Sequence, residues 1–561
     1  MRGEKMKIKH LMILLIFCLL LISITIFSNQ ITAMYGIVDG MDHIPKAIVT
    51  CNDGGFLIGG ITRPPEGPYF ARPLLIIRVD SEGNIIWQRA MGDHTDYCGI
   101  IKTSDGCYLI SSWMYSASSM RYVSGWLIKI DDNGNILWQR AYSERTFFIA
   151  TYELSDHSLI SVGGCYSQDQ NLEWRLCGLV MKLDSQGNLI WKKQVNVEVI
   201  DNVFSLGATV LPDDQFLVWG NDRICQFKPD GTIIKSIKID EEYILIESVI
   251  LTPSNEYLVA THYATGYTSM NGYSQILALD RNFNLKWAKK IVTYKEYPTD
   301  YGDTWIAPLM IKSDGTIVAG VRYAGYYTPQ TDIWHRGEGY FEFSNSGIPN
   351  SIGRVFHLPT NYESKASPFS FVLSKEDSIV YITAFDGPEN ICRNCDRRKF
   401  GLVKTDSNNS IDGSCVGSYE TPLVWEDLQD ISVSEVEDSF TDLDITCSDT
   451  TPLNLIENGN VRWINTFCPV IYQVNKLQNP FRLEIIGENF ATLAENLNVY
   501  INDTPVPKTT WKSTQRIIAK KDDALKNMLP KGVPVCIQVK VLDYSGNLYL
   551  NYQSDCFYFT R

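Results

Sequence analysis

One short unit returns along the chain at a near-constant spacing. Ile-Arg-Val-Asp-Ser-Glu-Gly-Asn-Ile-Ile-Trp at 77–87 recurs as Ile-Lys-Ile-Asp-Asp-Asn-Gly-Asn-Ile-Leu-Trp at 128–138 and as Met-Lys-Leu-Asp-Ser-Gln-Gly-Asn-Leu-Ile-Trp at 181–191. Looser copies follow at 227–235, where Lys235 fills the tryptophan slot, and at 278–287. The slots fall at 87, 138, 191, 235 and 287, a period of 44 to 53 residues. Such a period belongs to propellers, solenoids and arrays, in which a unit buries its apolar face only against its neighbours. It constrains architecture far more than chemistry.

Each unit carries four strand signals. The first reads 46–50, a turn Asn52-Asp53-Gly54-Gly55, 56–60, a longer connection, 74–79, a Ser-Glu-Gly-Asn turn, and 85–90. Short β-branched and aromatic runs bounded by Gly, Asn and Asp are antiparallel strands joined by hairpins, and four such strands make one propeller blade. The second-strand signal occurs seven times, at 56–60, 108–112, 159–163, 216–220, 257–261, 316–320 and 378–383. The expected fold is therefore all-β, a seven-bladed β-propeller over 34–418, with six or eight blades as the neighbouring solutions. The Asp-Gly-Gly and Gly-Asn-Ile-x-Trp elements at 53–60 with 75–87, and at 105–110 with 126–138, resemble a family of secreted bacterial and archaeal propeller repeats. That resemblance implies an extracytoplasmic propeller without a common chemistry.

Residues 419–468 break the period and are rich in acid, from Glu420 to Asp444; alternation over 430–436 allows a strand, so an ordered connector is expected there. From 469 to 561 short alternating strands recur at roughly ten-residue spacing, as in β-sandwiches. Phe481-Arg482-Leu483-Glu484-Ile485-Ile486-Gly487-Glu488-Asn489-Phe490 resembles the opening of immunoglobulin-like IPT/TIG domains, which implies a spacer or docking module.

Arg2, Lys5, Lys7 and Lys9 precede an apolar run over 11–27, and Ile31-Thr32-Ala33 offers a cleavage site. Residues 1–33 are expected to be a signal peptide or, if uncleaved, an anchor that is the chain's one tie to a membrane. Fourteen cysteines agree with export. The expected disulfides are Cys536–Cys556, which flank a turn at 543–547, Cys165–Cys177, which flank a loop, and Cys447–Cys468; Cys98–Cys107 and a pair among Cys392, Cys395 and Cys415 are weaker. Cys392-x-x-Cys395 lacks the second ligand pair that a zinc site wants, so no metal is expected. The net charge of −14 disfavours nucleic acid.

In an up-and-down blade the first-to-second and third-to-fourth turns leave on one face, and these are uniformly tight. The second-to-third connections leave on the other face, and they are long and carry Tyr69, Trp113, Tyr115, Trp174, Tyr267, Tyr326 and Trp334 among their aromatics. Function concentrates on loops held by a rigid scaffold, and Tyr and Trp give large contact area at small entropic cost. Those seven residues are the candidate ligand-binding set. The Asp-x-x-Gly-Asn turns lack the distal Glu of a calcium loop. They also resemble the turns of propellers that hold pyrroloquinoline quinone, but no cofactor clamp is recognisable and no cofactor is expected. The histidines are scattered, without His-Glu-x-x-His or Gly-x-Ser-x-Gly; Asp303 and Glu338 are the only carboxylates suggested for a channel site. The expectation is an exported, non-enzymatic protein that binds an envelope or extracellular protein or polysaccharide through its aromatic face. The rival readings are a carbohydrate-active or quinone-dependent enzyme working at the channel, and a structural component of a surface layer or appendage.

Overall fold

The computed structural model describes residues 31–37, 42–63, 73–91, 95, 97–115, 122–142, 146–168, 174–195, 206–241, 243–263, 273–293, 303–328, 333–349, 353–357, 371–386, 398–405, 417–421, 423–428, 431–435, 447–449, 461–464, 470–478, 481–488, 490, 497–513, 516–520, 523–542, 548–554 and 556–561. The architecture is all-β and propeller-like, a succession of small antiparallel sheets. Sheet one takes Asp42–Thr50, Phe56–Arg63, Leu74–Val79 and Ile85–Met91 in sequence order. Sheets two (99–142), three (146–195), four (206–239), five (244–293) and six (303–357) repeat that plan. Sheet seven takes Phe371–Leu373, Ile379–Asp386 and Arg398–Lys404, and its fourth strand is Ile31–Ile37 from the N-terminal side. The first strand of each sheet touches the first strand of the next, and Phe371–Leu373 returns to Asp42–Thr50, so the contacts close into a circuit.

Ring closure thus rests on Ile31–Ile37. Ile31, Thr32 and Ala33, read from sequence as a cleavage site, lie in this strand opposite Lys404, Val403 and Leu402.

The joint between sheets explains the repeat. Trp87 donates its indole N–H to the carbonyl of Asp132 at 2.8 Å, in the third-to-fourth turn of the next sheet. Trp191 does the same to Pro229 and Trp287 to Asn345, both at 3.2 Å. In each turn a glycine with left-handed backbone lies under the ring: a Cβ on Gly134 (φ +77°) would meet Trp87 atoms at 3.0 Å, and one on Gly187 (φ +79°) would meet Trp138 at 2.9 Å. Glycine is required twice over there, by the dihedral and by the indole above it. Where Lys235 replaces the tryptophan, its ammonium reaches the carbonyl of Asn282 at 3.2 Å. The position under it is then no longer glycine but Phe283, at φ +66° and stacked on Tyr257.

Within a sheet, the third strand is tied to the first turn by a cation and an acid. Arg78 reaches Asp53 at 2.7 Å, Lys129 reaches Asp105 at 2.6 Å and Lys182 reaches Asp156 at 3.4 Å. Sheet four substitutes a Gln226–Gln215 pair at 2.6 Å, and sheet six inverts the polarity with Glu342 and Lys312. The same spatial tie survives with different residues, which is why the later copies look degenerate in sequence.

The stretch read as an acidic connector lies along the outer edge of the ring. Gly417–Thr421 adds to sheet six, Leu423–Asp427 to five, Val433–Glu435 to four, Cys447–Asp449 to two, and Val461–Ile464 to the N-terminal strand of seven. It runs backwards round the ring as a belt of antiparallel fifth strands, covering edges that would otherwise be open to pairing. Lys235–Glu435 at 3.1 Å and the hydroxyls of Ser432 and Ser434 on Asp240 fasten it at sheet four.

Two further antiparallel sheets form the C-terminal part: Val470–Leu477, Arg482–Glu488, Arg516–Ala519 and Thr509–Ser513, and opposite them Thr504–Pro505, Leu497–Ile501, Pro534–Leu542 and Leu548–Gln553, with Phe557–Thr560 also on Pro534–Leu542. Alternate residues from both sheets share one core: Leu483, Ile485 and Ile517 with Val499, Ile501, Val535, Ile537 and Val539. Cys536 and Cys556 are joined, as expected, with Cα atoms 5.3 Å apart, although the register partner of Cys536 is Tyr558.

Gly134→Ala should lower the thermal midpoint, since left-handed backbone alone costs about 1–2 kcal/mol and the indole contact adds to it. In a Trp87→Ala background the same change should cost less, because only the dihedral remains. Equal losses in both backgrounds would show that indole and turn are not coupled.

Candidate functional site

The tight-turn face is chemically saturated. Asp80, Asp131, Asp184 and Asp280 each accept from two backbone amides and from the side-chain amide of the Asn four residues on, at 2.8–2.9 Å. These oxygens cap their own turns. Adjacent turns also clasp one another: the Ser155 amide donates to Asp214 at 2.9 Å, the Ser313 amide to Asp377 at 3.1 Å, and Lys375 reaches the carbonyl of Asn52 across the closure of the ring. Ser104, His157 and Glu153 gather a hydroxyl, an imidazole and a carboxylate on this face. Yet Ser104 Oγ at 3.0 Å and Glu153 Oε1 at 3.4 Å both face Nδ1 of the same ring. A proton relay needs both nitrogens, so this cluster is a turn clasp.

The first strands enclose a channel cavity of about 560 Å³ lined by Ile48, Val49, Ile101, Ile149, Met310 and Leu373 among others, with Lys102 as its one cation. The described wall is mainly aliphatic, with Thr50, Ser111, Thr151 and Tyr152 as its hydroxyl-bearing residues. Asp303 begins the first strand of sheet six and Glu338 pairs in register with Arg322 on the strands behind it. Among the described residues no three His, Cys, Asp or Glu side chains come together as metal ligands. No described helix is long and apolar enough to cross a membrane.

On the long-loop face Trp113 is half-buried, stacked on Tyr97 at 4.8 Å and edge-on to Phe147 at 5.3 Å, so it also cements sheets two and three. Tyr115 ends Tyr108–Tyr115 and Trp174 begins Trp174–Leu183, where it pairs with Gln168. Tyr326 pairs with His335 and Trp334 with Tyr327 across the long hairpin of sheet six. Tyr69 and Tyr267 lie outside the described residues, as do Cys468, Cys392, Cys395 and Cys415. Cys447 sits in the belt, opposite Tyr142. Cys98 and Cys107 are free thiols. Cys165 and Cys177 are register partners with sulfurs 3.3 Å apart, and both are thiols here.

A cluster that sequence reasoning missed lies at the same end of sheet five. Tyr263 and Tyr273 are register partners with rings stacked at 4.8 Å and 27°. Tyr273 donates its hydroxyl to Glu241 at 2.9 Å, and Gln275, fully buried, donates its side-chain amide to the other carboxylate oxygen at 2.7 Å. Lys290 places its ammonium 4.2 Å from the Tyr273 ring centre. Burial and the neighbouring Glu241 carboxylate push the Tyr273 phenol well above its ordinary range, so it remains a donor. Glu241 stands in a connection between sheets, without any motif; Tyr263 and Tyr273, 22 and 32 residues further on among the long-loop aromatics, were the signal nearby.

No family model matches the chain, and no curated protein matches it. Among solved structures, an α-L-arabinanase of Penicillium chrysogenum is similar over 68% of this chain and 99% of its own, at 12% identity and a TM-score of 0.36. The Bombyx mori GH32 β-fructofuranosidase covers 70% of this chain and 94% of its own, at 11% and 0.27. A Bacteroides caccae protein of unknown function covers 50% and 88%, at 13% and 0.32. Likenesses this distant assign no activity to the chain.

The turn carboxylates set an acid limit. Burial acts to raise the Asp105 pKa, but hydrogen bonds from Lys129, Thr103 and the Cys107 amide outweigh it and hold the carboxyl well below its ordinary range. Asp53, beside Arg78, and Asp156, beside Ser158 and Lys182, are lowered as well. Groups with depressed folded pKa values contribute stability that is complete above the ordinary carboxylate pKa of about 4 and lost as pH falls through the folded values. The thermal midpoint should therefore hold steady from pH 7 towards about 4 with respect to these groups and fall below it. A midpoint that rises on acidification past pH 4 would contradict these ties.

Proposed function

We propose that this is an exported, non-enzymatic binding protein that recognises a glycan or an envelope protein through the long-loop face of a seven-bladed β-propeller. The C-terminal pair of sheets is read as an immunoglobulin-like domain of the IPT/TIG kind, serving as spacer or docking module, and the N-terminal segment as the export signal. The observation that carries the reading is the contrast between the two faces. Turn carboxylates on one are occupied by their own backbone and by neighbouring turns, while the other carries the Tyr97–Trp113 stack at sheet two and, at sheet five, the Tyr263–Tyr273 pair beside Glu241. The rival reading is a carbohydrate-active enzyme working at the channel, whose described wall is mainly aliphatic with Lys102 and four hydroxyl-bearing residues.

The test is capture from envelope extract and on a polysaccharide panel with the full chain. A variant with Trp113, Tyr115, Trp174 and Trp334 changed to Ala should lose the partner that the parent retains. Changing Ile86, Leu137 and Ile190, exposed aliphatics at outer-strand bulges near the opposite face, to Ser should leave capture intact. The reverse pattern would move function to the tight-turn face.

Export makes a second expectation. In an oxidising compartment Cys165 and Cys177 should join, because they already face each other across two strands. Mass spectrometry of protein secreted by an expression host should find the two in one disulfide; free thiols at both positions would argue against export.

A further inference from the structure

We propose that the long-loop end of sheet five is a binding subsite for a neutral sugar ring, built from Tyr263, Tyr273, Glu241, Gln275 and Lys290. The inference rests on the reading of this face as the binding face and names the chemistry it takes.

The carboxylate of Glu241 is held in place rather than left to find its own partner. Its two oxygens each take one neutral donor, the Tyr273 hydroxyl and the Gln275 amide. Gln275 is in turn buried between strands, with its carbonyl accepting from Thr261 at 3.4 Å. A carboxylate oxygen has room for more than one donor, so an oriented acceptor remains for a ligand hydroxyl. Beside it, Tyr263 is stacked on Tyr273 and half-exposed, offering a flat apolar surface. Tyr243 precedes Ile244, the register partner of Tyr263. Its side chain is 50% exposed, and its backbone is left-handed at φ +61°, a conformation that non-glycine residues hold only where the surroundings impose it.

Charge selects among ligands. Within the named cluster the Glu241 carboxylate and the Lys290 ammonium oppose each other in charge, so neither sign is in excess among its described groups. An aromatic site for a cationic group relies on the ring face, and Lys290 already occupies a place over Tyr273. A neutral polyhydroxylated ring uses what is there. Its C–H face lies against the tyrosine, one hydroxyl donates to Glu241, and another accepts from the Lys290 ammonium. No bond is made or broken in this reading.

Affinity electrophoresis of the full chain in galactomannan, xyloglucan and dextran, with alginate as the anionic and chitosan as the cationic control, tests it. The parent should be retarded by at least one neutral polymer, and Tyr263→Ala and Glu241→Gln should each weaken that binding about tenfold, near 1.4 kcal/mol. Tyr273→Phe, which keeps the ring and loses the donor to Glu241, should weaken it less, and Ile190→Ser on the opposite face should not. Thermal midpoints show that each variant is folded. Retardation by a neutral polymer that survives both Tyr263→Ala and Glu241→Gln overturns this subsite and leaves the wider face standing. Retardation by alginate or chitosan alone overturns the neutral-sugar assignment. No retardation by any polymer also overturns it, and the broader reading then falls or stands on protein capture by the four-aromatic variant.

Discussion

An indole lying on a glycine turn makes four of the joints between successive sheets of this protein. A four-stranded repeat cannot bury its apolar faces alone, and stacking against neighbours covers them. In a ring the two faces are covered by neighbours, and the joint has to be repeated with the same geometry at each step. Trp87 over Gly134, Trp138 over Gly187, Trp191 over Gly231 and Trp287 over Gly347 are four instances of one solution. The exception supports the physics. When the ring above is lost at Lys235, the position beneath refills with Phe283 and keeps the left-handed backbone. The dihedral belongs to the turn, and the demand for glycine is completed by the indole.

Much of this was legible because it depends on local chemistry. Turns of Asp-x-x-Gly-Asn cap themselves, and alternating aliphatic runs mark the strands between them. The alternation over 430–436 marked the strand at Val433–Glu435, but which edges the belt pairs with was not legible, for a physical reason. Val433–Glu435 and Cys447–Asp449 are three residues each and contribute to their sheets through the backbone ladder at an edge, where side-chain pattern counts for little. Ile31–Ala33 carries two readings at once. Ile-Thr-Ala suits a cleavage site, and it suits a β-strand equally, since β-branched residues favour both the h-region border and a pleated edge. Cys536–Cys556 could be read because a hairpin relates its two halves by arithmetic. Glu241 could not, because its orientation comes from residues 32 and 34 positions away.

The belt bears on how a ring of sheets stays a ring. A propeller has as many outer edges as sheets, and each presents unpaired amides and carbonyls to solvent. Fifth strands on sheets six, five, four, two and seven cover these edges with the same segment of chain. The last of them, Val461–Ile464, lies on Ile31–Ile37, the strand that closes the ring. The closing strand is thus paired on both sides, so opening the ring at that point means breaking two ladders.

These constraints also divide labour between the two faces. The face that carries the turns is regular, since four of its turns lie under the indole of a neighbouring sheet and Asp80, Asp131, Asp184 and Asp280 cap their own turns. On the opposite face Trp113 also packs between sheets two and three, against aromatic rings instead of a glycine turn. Its longer connections are otherwise free to differ in length and composition. At sheet five this freedom is used to hold a carboxylate with a phenol and a buried amide beside a stacked pair of tyrosines. Glu241 follows the last strand of sheet four, so the arrangement also ties the connection between the two sheets to the third strand of sheet five.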